Sequence, residues 1–270
     1  MRVCLITPQP DHPLLAAAAG LLRTAGHRVE TLDPGTAAGP PAAPLADVYL
    51  LKARTPRALA LARGLERQGA PVVNPSTATT LCQDRTAMAE LALRAGLPFA
   101  ATRTHDSLGV WAASGDPVPD GPVVVKSRHS RRHDLVARVD DAARLRELAA
   151  QWPQEPVVVQ DFAPNSGWDH KLWAVGRRVF AALRRSELTP EGRGPTLPLA
   201  LGELPEGWAE LVLRVGEVFA LDVYGVDVID TGDGAPLVVD VNAFPGIRGQ
   251  AGAPEALADL ALTRAAAHHG

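Results

Sequence analysis

The sequence predicts a mixed α/β (α+β) protein in three units: a small parallel α/β domain over residues 1–75, a central α+β subdomain over 76–156, and an antiparallel-sheet subdomain over 157–270. Three observations carry this. Apolar strand-like runs alternate with helical stretches over the first 75 residues, the pattern of a parallel sheet. After Pro75 a helix and paired strands enclose a short basic loop, and from Pro156 the chain is rich in strands joined by tight turns.

In order, Arg2–Thr7 reads as a strand, and the turn-rich Pro8–Pro13 leads into an Ala/Leu helix to about Ala25, closed by Gly26. Strands follow at His27–Leu32 and, after a Pro/Gly/Ala linker, at Asp47–Lys52; a helix over Pro56–Gln68 leads to Pro71–Asn74. The first turn has no G-x-G-x-x-G, which excludes a dinucleotide site there. The second unit reads as a helix over Gln83–Arg94, a strand at Phe99–Arg103, a loop over Gly115–Pro122, strands at Val123–Lys126 and Leu135–Val139, and a helix capped by Asp140 and running to about Gln151. The third has strands at Val157–Phe162, Lys171–Val175 and Val179–Leu183, the last two joined by a hairpin at Gly176–Arg178. A Pro-rich loop over Thr189–Pro205 is the candidate for a mobile lid. A helix over Trp208–Phe219, a hairpin pairing Tyr224–Asp230 with Leu237–Asn242, and a closing helix over Pro254–Ala267 complete the chain.

Composition narrows the function. The chain has 270 residues, 46% hydrophobic and 21% charged. No apolar run approaches the ~20 residues of a membrane span, and the start shows no secretory signal, so the expectation is a cytoplasmic protein without a membrane partner. A net charge of −3 gives no reason to expect nucleic acid, and Cys4 and Cys82, in apolar settings, are not expected to supply a disulfide framework or a four-ligand zinc site. Lysine and arginine total 27, yet lysine occurs only at Lys52, Lys126 and Lys171, which leaves 24 arginines. Where composition drives lysine to arginine, a lysine persists at sites that need a compact point charge, which makes these three candidates for chemistry.

The most specific constellation is the last hairpin. Asp227 lies in one strand, while Asp240 and Asn242, two residues apart on the next, share a face. Two carboxylates and an amide oxygen form a hard-oxygen set suited to magnesium carrying a nucleotide's phosphates. Lys126 ends an apolar strand, and the seven-residue loop after it, Ser127–His133, with Arg128, Arg131, Arg132 and His133, is placed to close over a polyanion; His133 suits a neutral hydrogen-bonding role there. Lys171 and Arg184 make a second cationic cluster. No Walker A loop, G-x-S-x-G or H-E-x-x-H is present.

In order, Val-Val-Val-Lys126, Val-Val-Gln160-Asp161-Phe162, Asp169-His170-Lys171, Gly225-Val-Asp227 and Asp240-Val-Asn242-Ala-Phe-Pro-Gly246 resemble the core motifs of the ATP-grasp superfamily over about residues 74–250. The resemblance implies the ATP-grasp fold, with ATP and Mg2+ as cofactors, two magnesium ions, and manganese as a substitute. It implies that Arg85 and Lys126 hold the α- and β-phosphates, that Gln160 and the hinge Asp161, Phe162 and Ala163 hold adenine, and that Asp227, Asp240 and Asn242 hold the metal. Lys171, Arg184 and His133 are then the catalytic candidates, and Lys52, Arg128, Arg132, Asn242 and Gly246 the candidates for binding a small-molecule substrate. Two branches are similar. RimK-like ligases activate a carboxylate as an acyl phosphate for attack by an amine, with Lys171 departing from their usual arginine. ATP-grasp inositol polyphosphate kinases phosphorylate a hydroxyl and share Leu51-Lys52, Asn74-Pro75 and Asn-Ala-Phe-Pro-Gly, but carry lysines in the first loop that this chain lacks. The reading favours the ligase, as a monomer or homodimer; a non-catalytic nucleotide-binding module is the third possibility and predicts loss of a metal ligand.

Overall fold

A computed structural model describes residues 1–114, 121–189, 192 and 194–269. Strands β1 (Arg2–Ile6), β2 (Arg28–Leu32), β3 (Val48–Leu51) and β4 (Val72–Val73) form a parallel sheet in the order β2-β1-β3-β4. Helices α1 (Pro13–Thr24) and α2 (Pro56–Arg67) both begin with proline at the first turn, where a missing N–H costs nothing. The period-2 alternation of the strands sorts their side chains between two cores. Cys4, Ile6, Tyr49 and Leu51 pack against Leu61 and Leu65 of α2. Val3, Leu5, Val48 and Leu50 meet α1 and, unexpectedly, the closing helix α8 (Ala253–His269), through Leu257 and Ala261. The last helix, assigned from the sequence to the third unit, thus packs on the first sheet, its apolar Ala and Leu positions sharing one core with Leu15 and Leu22 of α1 and with Val175 and Val223.

The central sheet has the order β5-β8-β6-β7, from β5 (Thr102–His105), β6 (Val123–Ser127), β7 (Val136–Val139) and β8 (Val157–Asp161). The expected strand at 99–103 shifts to 102–105 because residues 98–100 pair elsewhere: Val238 N–H donates to Pro98 O at 2.7 Å and Ala100 N–H to Val238 O at 3.0 Å. Two six-residue helices, α3 (Ser76–Leu81) and α5 (Leu108–Ala113), were too short to show a period, and the helix expected from Gln83 begins after Asp84 as α4 (Arg85–Arg94). Asp141, not Asp140, caps α6 (Ala142–Gln151), accepting from Arg144 N–H, while Asp140 pairs with Arg138. Val123, Val125, Val157 and Val159 face α5 and α6; alternation turns Val124, Lys126, Val158 and Gln160 to the opposite face. Residues 115–120 of the expected loop lie outside the described residues.

The third sheet runs β11-β10-β9-β12-β13, from β9 (Trp168–Val175), β10 (Arg178–Arg185), β11 (Thr196–Leu199), β12 (Val223–Asp230) and β13 (Pro236–Ala243). The two-residue turn at Gly176–Arg177 places Gly176 at φ 59°, which glycine adopts without strain. One face packs on α7 (Trp208–Phe219) and on Met88 and Ala92 of α4. The expected lid is part sheet: Thr196–Leu199 is an edge strand on β10 and Leu201–Glu203 a 3-10 turn, while residues 190, 191 and 193 lie outside the described residues. Among the described residues no helix is long and apolar enough to cross a membrane.

Asn74 joins the first sheet to the third. Fully buried, it donates from Nδ2 to Val223 O at 2.6 Å and accepts at Oδ1 from the N–H groups of Asp222 and Val223. Asn74→Ala leaves the N–H groups of Asp222 and Val223 without these partners, while Val223 O keeps the Phe244 N–H at 2.8 Å, so a loss of about 2 kcal/mol or more in urea-unfolding free energy is expected; an unchanged midpoint would rule out this role.

Candidate active site

A cleft of about 680 Å3 lies between the central and third sheets. Its floor is one row across three strands. Lys171 on β9 is in register with Asp227 on β12, which is in register with Asp240 on β13. Lys171 Nζ lies 2.7 Å from Asp227 Oδ2 and 3.3 Å from Asp169 Oδ2. Alternation sends Asp169 and Lys171 into the cleft and His170 against Trp208, where burial lowers its pKa. Asn242 stands two residues beyond Asp240 and also lines the cleft.

Arg85 and Lys126 bear on the floor from the central unit. Arg85, 6% exposed, donates to Ser127 O at 2.8 Å and Asp134 Oδ2 at 2.7 Å, and its Nη2 lies 3.2 Å from Asp240 Oδ2. Lys126, 7% exposed, donates to Val239 O at 2.9 Å. Burial pushes its ammonium down from 10.5 to about 8, with Asp240 opposing and Arg85 adding to the shift. Burial alone would raise the Asp240 carboxyl, but Arg85 and Lys126 hold it below the usual range. The result is a desolvated network in which Asp227 has Lys171 as its counter-ion and Asp240 has Arg85, and in which the cations are placed to accept a phosphate oxygen as a further partner.

At the hinge, Gln160 Nε2 donates to Thr102 Oγ1 at 3.0 Å, and Phe162 N–H donates to Pro122 O at 2.9 Å. Asp161 pairs with Arg103 in solvent, and the Arg138 guanidinium lies 4.1 Å from the Phe162 ring centre. Phe162 N–H being engaged, the Ala163 N–H is the next donor along the hinge. Val124 and Val136 on one side and Ile229 and Leu237 on the other give apolar walls for a flat ring.

The basic loop divides. Arg132 and His133 line the cleft, both exposed, with His133 at φ 59°. Arg128, expected to bind substrate, grips the Asp84 carboxylate through Nε and Nη2 and does not line the cleft. Arg131 makes a two-pronged pair with Glu155 at 2.6 and 2.7 Å. The seven-residue run is therefore not one continuous clamp: two of its arginines bind the loop to neighbouring carboxylates. Lys52 and Gly246 lie in a recess beyond Asn242. Arg184 lines the cleft, and its buried Nε has no partner among the described residues, as has Arg85 Nε. Asp134 and Arg54 were missed. Asp134 is the one acid ending a basic run, but its partner Arg85 lies 49 positions earlier in the chain.

Two carboxylates and one amide oxygen are too few to hold a divalent ion alone, and among the described residues no three acidic, histidine or cysteine side chains gather for that purpose. They fit magnesium, which keeps water and phosphate oxygens in its shell. Asp227, Asp240 and Asn242 would hold it together with phosphate.

Residues 116–256 match the family model of the RimK-like ATP-grasp domain. A probable alpha-L-glutamate ligase of Xanthomonas euvesicatoria is 30% identical over 207 residues, 72% of this chain and 68% of that protein. Probable alpha-L-glutamate ligase 2 of Hahella chejuensis is 28% identical over 198 residues, 70% of this chain; the chain thus spans 64% of that relative's length. Among solved structures, the RimK domain protein ATP-grasp from Sphaerobacter thermophilus superposes with a TM-score of 0.74 at 24% identity, covering 97% of this chain and 100% of the other. D-alanine–D-alanine ligase from Bacillus anthracis, solved with ATP, gives 0.71 at 16% identity, covering 99% and 98%. These two likenesses establish the fold.

Proposed function

Since the chain belongs to the RimK-like ATP-grasp family, we propose that it is an ATP-dependent ligase that phosphorylates the carboxylate of a small acid and passes the resulting acyl group to an amine. The observation that carries this reading is the Lys171–Asp227–Asp240 row beneath Lys126 and Arg85. It supplies hard oxygens for magnesium and buried cations for phosphate in one desolvated place, and the relatives are named as glutamate ligases.

Lys126 and Arg85 would bind the α- and β-phosphates, with adenine against Gln160 and the backbone of Asp161 and Ala163. Magnesium, held by Asp227, Asp240 and Asn242, would neutralise charge on the transferring phosphoryl group. The attacking carboxylate oxygen forms a bond to the γ-phosphorus as the bond to the β-γ bridging oxygen breaks, releasing ADP. The amine nitrogen then adds to the acyl carbon, phosphate leaves, and the amine loses its proton. Arg184, whose Nε has no partner among the described residues, lines the cleft with Lys171 and is placed to hold the acyl phosphate. Catalysis by these groups is positioning and charge neutralisation.

The test offers the protein Mg-ATP with pools of acids, amines and polyol phosphates. ADP release that requires both an acid and an amine is expected; release with a hydroxyl compound alone would instead identify a kinase and overturn the ligase reading.

A further inference from the structure

Beyond Asn242 the cleft opens into a side chamber between the end of β3 and the segment after β13. Two hollows of about 450 and 470 Å3 share Asn242, Pro245 and Gly246. Arg54, Lys52 and Arg248 stand on their walls, and His12 closes in from the first loop: a Cβ at Gly246 would lie 3.2 Å from His12 Nε2 and 3.9 Å from Arg248 Nε. Lys52 donates to Phe244 O at 3.1 Å and to Pro245 O at 3.2 Å, which uses two of its three protons. Thr79, 3% exposed, lines the same chamber, and its hydroxyl has no partner among the described residues.

The cations here repel one another. Burial, then Arg248 and Arg54, push the Lys52 ammonium down to about 8, and burial, Lys52 and Arg248 likewise lower His12, against Asp11 beside it. Among the described residues neither arginine pairs with a carboxylate, although the neighbouring floor balances each of its acids with a cation. The link from Lys52 to residues 244–245 accounts for the lysine as a structural bolt; it does not account for Arg54, Arg248 or the unpartnered Thr79. An ammonium substrate would be repelled, so the amine has no place here.

We propose that this chamber binds a second anionic group of the acid substrate: the acid that is activated carries a further carboxylate or phosphate, which docks between Arg54 and Arg248 against the free proton of Lys52. The placement of the reacting carboxylate rests on the ligase reading; the affinity of the chamber for a polyanion does not.

The experiment measures binding by calorimetry to the nucleotide-free protein at fixed ionic strength. The probes are tricarballylate, 3-phosphoglycerate and, as the monoanion, acetate. Tricarballylate or 3-phosphoglycerate is expected to bind while acetate does not, and which of the two binds more tightly distinguishes carboxylate from phosphate. Arg54→Gln/Arg248→Gln, at exposed positions, is expected to weaken binding at least about tenfold. Equal binding of acetate, no binding of either polyanion, or polyanion binding kept by the double variant but lost in Arg184→Gln would each overturn the proposal. Failure of the ligase reading is separate: no acid and amine pair would release ADP, while the polyanion affinity and its dependence on the two arginines remained.

Discussion

Asp240→Asn is expected to abolish ATP turnover and to weaken the fold together. The carboxylate lies 3.2 Å from Arg85 and bears on Lys126 and Lys171, with 14% of its side chain exposed. The amide keeps the shape and removes the charge. Arg85 retains Asp134, but Lys126 loses the larger of the two charges that oppose the burial of its ammonium, keeping Asp227. Breaking a buried pair on one side costs about 3–5 kcal/mol, so the urea-unfolding free energy should fall by that order. Turnover should fall by roughly a thousandfold or more, since the lost group both holds magnesium and sets the cations that meet phosphate. To separate the two effects, ADP release is measured well below the variant's unfolding midpoint. Turnover kept under those conditions would mean that the metal site lies elsewhere.

Why this residue was visible in the sequence, when others were not, is a matter of range. Asp227, Asp240 and Asn242 lie on two strands joined by a short turn, so a period of two and one hairpin register bring them together. Lys126 and Gln160 follow from the same alternation on β6 and β8. Local pattern ends there. Arg128 and Arg131 read as a clamp because a loop's composition is blind to Asp84 and Glu155, 44 and 24 positions away along the chain. Asp134 is invisible for the same reason, although it fixes Arg85 in the cleft. The strand at 99–103 slid because residues 98–100 pair with Val238, and the closing helix joined the first sheet through apolar contacts that no local spacing encodes. Arg54 and Arg248, with ordinary neighbours in sequence, acquire meaning only where β3 and the segment after β13 converge.

Lys126→Arg is the second substitution with a large expected effect, and it tests why three lysines persist among 24 arginines. The Lys126 ammonium is buried at the end of β6 and fixed on Val239 O, with Arg85 and Asp240 close by. A guanidinium is larger, planar and permanently charged, so it must displace these neighbours or turn away from the phosphates. A loss of about tenfold or more in ATP affinity is expected, and unchanged affinity would remove the case for a point charge here. The pH dependence gives a second reading. Folded, the group titrates near 8; unfolded, near 10.5. The folded chain therefore binds fewer protons between those values, so this lysine makes stability rise with pH from about 8 to 10.5 and imposes a constant cost below 8. Bound phosphate favours the ammonium, so above pH 8 binding must take up a proton, and ATP affinity should fall by up to about tenfold per pH unit. Lys126→Met removes the titrating group and Lys126→Arg keeps the charge throughout, so this slope should vanish in both. A slope that survives in Lys126→Met would assign the proton to another group.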